Sequence, residues 1–122
     1  MTDAIYHELL LDLYKHPLNK RVLPDCDARQ TEHNPSCGDT IEVCVKWDTN
    51  NAVKAVAWQG DGCAVSQAAA SILTEKIKGK KRNAIKKISN QKMLQLLGLK
   101  NLNPTRLRCA TLCLETLKKI CR

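Results

Sequence analysis

The stretch TIEVCVKWDTNNAVKAVAWQGDGCAVSQAAAS, residues 40–71, decides the fold. In residues 40–47, Ile41, Val43, Val45 and Trp47 alternate with Glu42, Cys44 and Lys46. Side chains two apart share one face of a strand, so this period predicts a half-buried β-strand. DTNNA, residues 48–52, has turn chemistry. Residues 52–59 alternate again, Val53, Ala55 and Ala57 against Lys54, Val56 and Trp58. The two runs predict a hairpin with one buried face. After Gly60-Asp61-Gly62 the period changes, and residues 63–78 read as a helix stopped by Gly79.

Working outward, residues 3–15 place Ile5, Leu9 and Leu13 on one stripe with Tyr6 and Leu10 beside it, an amphipathic helix that Pro17 ends. A loop follows, and residues 28–33 read as a short edge strand. KKRNAIKKIS, residues 80–89, spaces Ile85 and Ile88 for a short helix. The next helix has Ser89 or Asn90 as its N-cap and Gly98 as its stop. A loop containing Pro104 leads to a last helix over 106–122, with Leu107, Leu114, Leu117 and Cys121 facing inward. This order predicts an α+β fold, with helices covering one face of an antiparallel sheet. The 122 residues are read as one domain, 1–122.

The net charge of +8 is unevenly placed. Residues 76–122 hold fourteen Lys and Arg against one acidic residue. Such a segment suits nucleic acid, a membrane surface or an acidic protein partner, or is simply a solvated helix face. It carries no aromatic residue for base stacking, so nucleic acid is not the expected partner. No apolar run reaches the roughly 18–20 residues that span a bilayer. The N-terminus lacks the basic region and cleavage site of a signal peptide. A cytoplasmic location and no membrane partner are expected.

Seven cysteines are many for this length. In a cytosolic chain they point to metal or sulfur chemistry rather than disulfides. Cys44 lies within a strand, and Cys113 and Cys121 lie within a helix, where a free thiol behaves as a small hydrophobe. Cys26 lies in a loop between two aspartates. These four read as structural. Cys37 in NPSCGD, Cys63 in GDGC and Cys109 in NPTRLRC sit instead at element boundaries, where scaffolds present side chains to ligands. A thiol at a helix N-terminus meets the positive end of the helix dipole and unpaired N–H groups. That setting favours the thiolate, the form that binds metal or attacks sulfur. Gly60 and Gly62 are read as the sharp turn that leaves the Cys63 sulfur accessible. Asp39 can add an oxygen to the three sulfurs. Three thiolates and one carboxylate complete a tetrahedral Zn2+ site, and the same set can hold iron in a cluster. The alternative is three unconnected boundary cysteines.

NPSCGD, GDGCAVSQAAAS and RLRCATL, in that order, resemble the U-type iron–sulfur cluster scaffold proteins: SufU, IscU and the N-terminal domain of NifU. The intervals of 26 residues (37 to 63) and 46 residues (63 to 109) fit that family. The resemblance implies a three-stranded antiparallel sheet packed against about five helices, the SufE/NifU-like arrangement. It implies a site made of Cys37, Asp39, Cys63 and Cys109, holding Zn2+, iron or a transient [2Fe-2S] cluster. It implies a cysteine desulfurase as sulfur donor, and recipient apo-proteins or downstream assembly factors as acceptors. The sulfur-accepting thiol is Cys109 by likeness to IscU or Cys37 by likeness to SufU. Such a protein is a scaffold or a zinc-dependent, sulfurtransferase-like acceptor rather than a turnover enzyme. Arg108 stands where IscU-like members carry His, as in SufU, while the 63-to-109 interval is short for a SufU. A guanidinium cannot ligate metal, but it can stabilise a thiolate or persulfide at Cys109. Lys80, Lys81, Arg82, Lys86 and Lys87 can dock an acidic partner. The competing reading is a structural zinc domain with a basic nucleic-acid- or partner-binding face.

Overall fold

A computed structural model describes residues 3–35 and 38–122, with side chains from Glu8 onward. The order is α1 (Asp3–Lys15), β1 (Ala28–Asn34), β2 (Asp39–Trp47), β3 (Val53–Asp61), α2 (Ala64–Ile77), α3 (Arg82–Lys86), α4 (Asn90–Leu97) and α5 (Pro104–Cys121). The strands form an antiparallel sheet in the order β1-β2-β3, so β1 is an edge strand as its short polar sequence predicts. Helices and sheet agree with the α+β expectation.

The hairpin pairs Val43 with Trp58 and Val45 with Val56. Directly opposed residues share a face, and all four are buried. This decides which face of β3 is the buried one. Val56 and Trp58, not Ala55 and Ala57, point into the helix-covered core. A bulge reconciles Val53 with them. The register passes from Lys46↔Ala55 to Trp47↔Val53, which leaves Lys54 as the extra residue and turns Val53 inward. The two largest apolar groups thus win the dry face, and alternation alone could not reveal the slip.

β3 also runs further than expected, through Gly60 and Asp61. Gly60 is therefore a strand residue paired with Ile41, not part of a turn. Its φ is +150°, and a Cβ there would fall 2.0 Å from the Thr40 carbonyl oxygen, so only glycine fits.

Ala68, Ala69 and Ala70 of α2 are fully buried, and their small side chains let the helix lie close on the sheet. Leu73 and Ile77 continue that face, and Leu114 and Leu117 of α5 meet it. Each such side chain contributes about 1.5–3 kcal/mol through burial. Cys121 joins them as expected, but Leu107 is only half-buried. On α1, Leu10 and Leu13 are buried while Leu9 is 42% exposed. The inward stripe is thus rotated from the expected one; Ile5 and Tyr6 lie outside the described side chains. Ser89 caps α4 by accepting from the Lys92 N–H, and Gly98 closes it at φ 68°. Helix α5 begins two residues earlier than read, with Asn103 accepting from the Arg106 N–H and Pro104 in the first turn.

Residues 18–21 lie along the free edge of β3. Trp58 donates its backbone N–H to Asn19 and its indole N–H to the Leu18 carbonyl, and accepts from the Arg21 N–H. Helix α3 sits at the other end of the sheet from Asp39, with the Arg82 guanidinium 4.6 Å from the Trp47 ring centroid. Strand β2 connects the two ends over about 26 Å. No helix among the described residues is long and apolar enough to cross a membrane.

Candidate metal centre

Asp39 opens β2 opposite Asn34, the last residue of β1. The hairpin thus places a carboxylate and an amide side by side at one end of the sheet. Asp39 is only 1% exposed, and a buried charge requires partners. One is the Cys63 backbone N–H, which donates to Asp39 Oδ1 at 3.0 Å. Cys63 Sγ lies 3.9 Å from the other carboxylate oxygen, Oδ2.

Cys63 is the N-cap of α2, as its GDGC setting predicts. Its carbonyl accepts from the Gln67 N–H and from Ser66 Oγ, each at 3.1 Å. Its side chain takes no part in capping, so the sulfur is left to face Asp39. Gly62 makes this approach feasible. A Cβ at residue 62 would lie 2.5 Å from both Asp39 Oδ1 and Ser66 Oγ. The second glycine of GDG is therefore a gap filled by the aspartate, not a turn device.

Cys109 lies in the second turn of α5 and is fully buried. The buried Asn34 amide points at its sulfur, 4.0 Å away. Asp39, Cys63 and Cys109 each offer a ligand atom within 4.8 Å of the others. A tetrahedral Zn2+ with bonds of about 2.0–2.3 Å keeps its ligand atoms about 3.5–3.8 Å apart. Two thiols and a carboxylate at this spacing fit such an ion after small side-chain rotations. Cys37, the fourth expected ligand, lies outside the described residues.

Arg108 is exposed beside this cluster. It lines a cavity of about 190 Å3 together with His33, Asn34, Pro35, Leu112 and Glu115. Neither Arg108 nor Asp39 is without a partner in the protein. Asn34 is the residue that sequence reasoning missed. Its one signal was its place at the head of NPSCGD, and nothing in that motif revealed its burial against Cys109.

The remaining thiols are elsewhere. Burial pushes the Cys113 thiol up to about 12, and also raises that of Cys121. Both remain protonated fillers of the core at neutral pH. Cys44 is buried on the sheet face away from α2 and α5, and Cys26 is half-buried in the loop before β1.

Residues 5–121 match the NifU-like N terminal domain. Zinc-dependent sulfurtransferase SufU of Bacillus subtilis is 34% identical over 134 residues, covering 96% of this chain and 89% of that protein. The iron–sulfur cluster assembly scaffold protein IscU of Aquifex aeolicus is 33% identical over 113 residues, covering 92% and 71%. The crystal structure of FiSufU from Fervidobacterium islandicum superposes with a TM-score of 0.84 at 24% identity, over the whole of both chains. The N-terminal part of a NifU-like protein from Brucella abortus gives 0.78 at 20% identity, over 97% of this chain and 92% of that one. The fold, the order of the motifs and the kinship over nearly the whole length agree: the chain belongs to the NifU-like N-terminal domain family.

Proposed function

We propose that this protein, a single domain, serves iron–sulfur cluster assembly by accepting persulfide sulfur from a cysteine desulfurase at a zinc site. Cys37, Asp39, Cys63 and Cys109 form that site. The observation that carries this reading is the convergence of Asp39, Cys63 and Cys109 within 4.8 Å from three separate elements. Kinship with a zinc-dependent sulfurtransferase supports it.

Bound Zn2+ would hold the ligating thiols as thiolates at neutral pH. In the transfer step a thiolate of this chain attacks the outer sulfur of the donor's persulfide. The new S–S bond forms as the old one breaks, and the donor leaves as a thiolate. Cys109 has no exposed surface, which counts against it as the first acceptor. We therefore assign first acceptance to Cys37, with Cys63 and Cys109 holding the site together. Asp39, the one oxygen donor, is the ligand most easily exchanged for an incoming thiolate. Arg108, at the rim of the cavity, offers positive charge to an arriving persulfide. The acceptors of sulfur are apo-proteins or downstream assembly factors, and the compartment is the cytoplasm.

A second reading, assembly of a transient [2Fe-2S] cluster on the same residues, is favoured by the likeness to IscU. A structural zinc domain that binds nucleic acid through its basic half finds less support, because residues 76–122 carry no aromatic side chain on which bases could stack.

Metal and acid-labile sulfide content, measured on protein purified without air, tests the proposal. About one zinc per chain without sulfide, lost in Cys63→Ser, is the expected result. Iron with matching sulfide would select the cluster scaffold. Wild-type protein that takes up neither metal would overturn both.

A further inference from the structure

We propose that Cys26 and Cys44 form a second sulfur site, a dithiol that a hydroperoxide converts to an intramolecular disulfide. The two residues are far apart in sequence and meet on the sheet face opposite the metal centre. Cys44 lies on the side of β2 away from Val43 and Val45, paired with Arg29 of β1 and Ala57 of β3. Arg29, directly across from Cys44 in the sheet, reaches Cys26 Sγ with its guanidinium at 3.6 Å, so both thiols lie against the same side chain.

The loop bearing Cys26 is fastened on both sides of the cysteine. Asp25 accepts from Lys46 Nζ at 2.7 Å. Asp27 accepts from the Trp47 N–H at 2.8 Å and donates its own N–H to the Val45 carbonyl at 2.9 Å. The aspartates that flank Cys26 in sequence are thus engaged with β2. The charged group that faces its sulfur is a cation instead: Arg29 Nη2 donates to Cys26 Sγ at 3.6 Å, while Nη1 holds Glu42 at 2.8 Å.

The two thiols are placed for different parts. Cys26 is half-buried and within reach of solvent. Cys44 is 5% exposed, and burial, followed by its hydrogen bond with Cys26, pushes its thiol up to about 11. The space beside Cys44 is a cavity of about 10 Å3, room for one water. An oxidant therefore meets Cys26 first. The Cys26 sulfur attacks the terminal oxygen of the hydroperoxide as its thiol proton is released; the O–O bond breaks, and the departing oxygen takes up that proton and leaves as an alcohol (water, from hydrogen peroxide). The resulting sulfenic acid is attacked by Cys44 sulfur; the S–O bond breaks and water departs with the Cys44 proton. Two thiols lose two electrons, and one hydroperoxide gains them.

Cys44 is five residues from Asp39 along β2, about 16 Å, and on the other face. Oxidation here leaves the metal centre chemically untouched. The bond would tie the loop before β1 to the central strand.

The test is timed exposure of the full chain, pre-equilibrated with zinc chloride, to hydrogen peroxide, followed by alkylation, proteolysis and mass spectrometry. The expected product is a peptide pair joined through Cys26 and Cys44. It should form at least tenfold faster than any link involving Cys37, Cys63 or Cys109, with zinc content unchanged. Cys26→Ser should abolish it and leave Cys44 in the thiol form. Because Cys26 is half-exposed, this variant does not require repacking of the core. Arg29→Gln should slow the first step. Three outcomes would overturn the proposal: Cys26 accumulating as sulfinic acid without a link, a first disulfide elsewhere, or Cys44 oxidised equally fast in Cys26→Ser.

Discussion

Replacing Gly62 by alanine isolates the packing that holds the proposed site. The φ of Gly62 lies in a region open to any residue, so the substitution adds no backbone strain. What it adds is a methyl group 2.5 Å from Asp39 Oδ1 and 2.8 Å from Asp39 Cγ. Ordinary contact begins near 3.4 Å, so the carboxylate must retreat by about 0.9 Å or the α2 N-terminus must lift by as much. Either movement stretches the Cys63 N–H···Oδ1 bond beyond its 3.0 Å. A hydrogen bond to a charged group contributes about 1.5–3 kcal/mol. Its loss should lower the stability of the metal-free protein by that amount. A misplaced ligand of this kind typically costs 10–100-fold in metal affinity, or about 1.4–2.7 kcal/mol. Zinc competition against a chromogenic chelator, with thermal unfolding in parallel, reads both. Gly79→Ala is the control. Gly79 has φ +79° and open space around it, so alanine there strains the backbone by about 1 kcal/mol without touching the site. If Gly62→Ala binds zinc as tightly as the wild type, the assignment of Asp39 as a ligand in this geometry is wrong.

Leu73→Ala removes a fully buried side chain between sheet and α5, and should cost about 2–5 kcal/mol in a denaturant titration. The Glu32 carboxyl is held below its ordinary value chiefly by its hydrogen bond with Lys119. Its folded pKa is therefore below its unfolded one. The stabilisation it supplies is present above about pH 4.5 and is lost as pH falls through the folded value. Lys119→Ala should move the Glu32 midpoint upward in an NMR titration and reduce that pH dependence. Charge reversal of Lys80, Lys81, Lys86 and Lys87 should weaken binding to an acidic partner yet leave zinc affinity within twofold, given their distance from Asp39. A large loss of zinc in that variant would contradict the placement of the site.

Elements with strong periodicity were legible before any coordinates. The β2 alternation, the change of period after Gly62 and the Ser89 and Gly98 caps are local signals, and local physics decides them. The phase of β3 was not legible, because the bulge at Lys46 and Trp47 depends on which side chains the helices bury. Gly62 could be recognised as necessary, but its reason, the Asp39 carboxylate, comes from another strand. Cys63 was legible as an N-cap thiol from its neighbours alone. The grouping of Cys109 with Asp39 and Cys63 followed from their places at element boundaries only as one of two readings, since spacing along the chain does not encode convergence, and the resemblance favoured it. The meeting of Cys26 and Cys44 had no sequence signal, because the course of an irregular loop over a sheet is set by contacts such as Asp25 with Lys46.

The site's three described donors come from distant parts of the chain: Cys63 reaches Asp39 across 24 residues, and Cys109 reaches Asn34 across 75. Synthesis therefore delivers them in instalments. At about 5–20 residues per second, Cys109 follows Cys63 by about 2–9 s. Throughout that interval the nascent chain carries Asp39 and Cys63 without the helix that brings the third donor. A divalent ion captured so early would find only part of a coordination shell, and the loop it closed would have to be reopened for α5 to dock. The topology thus favours loading after release from the ribosome, once sheet and helices have packed.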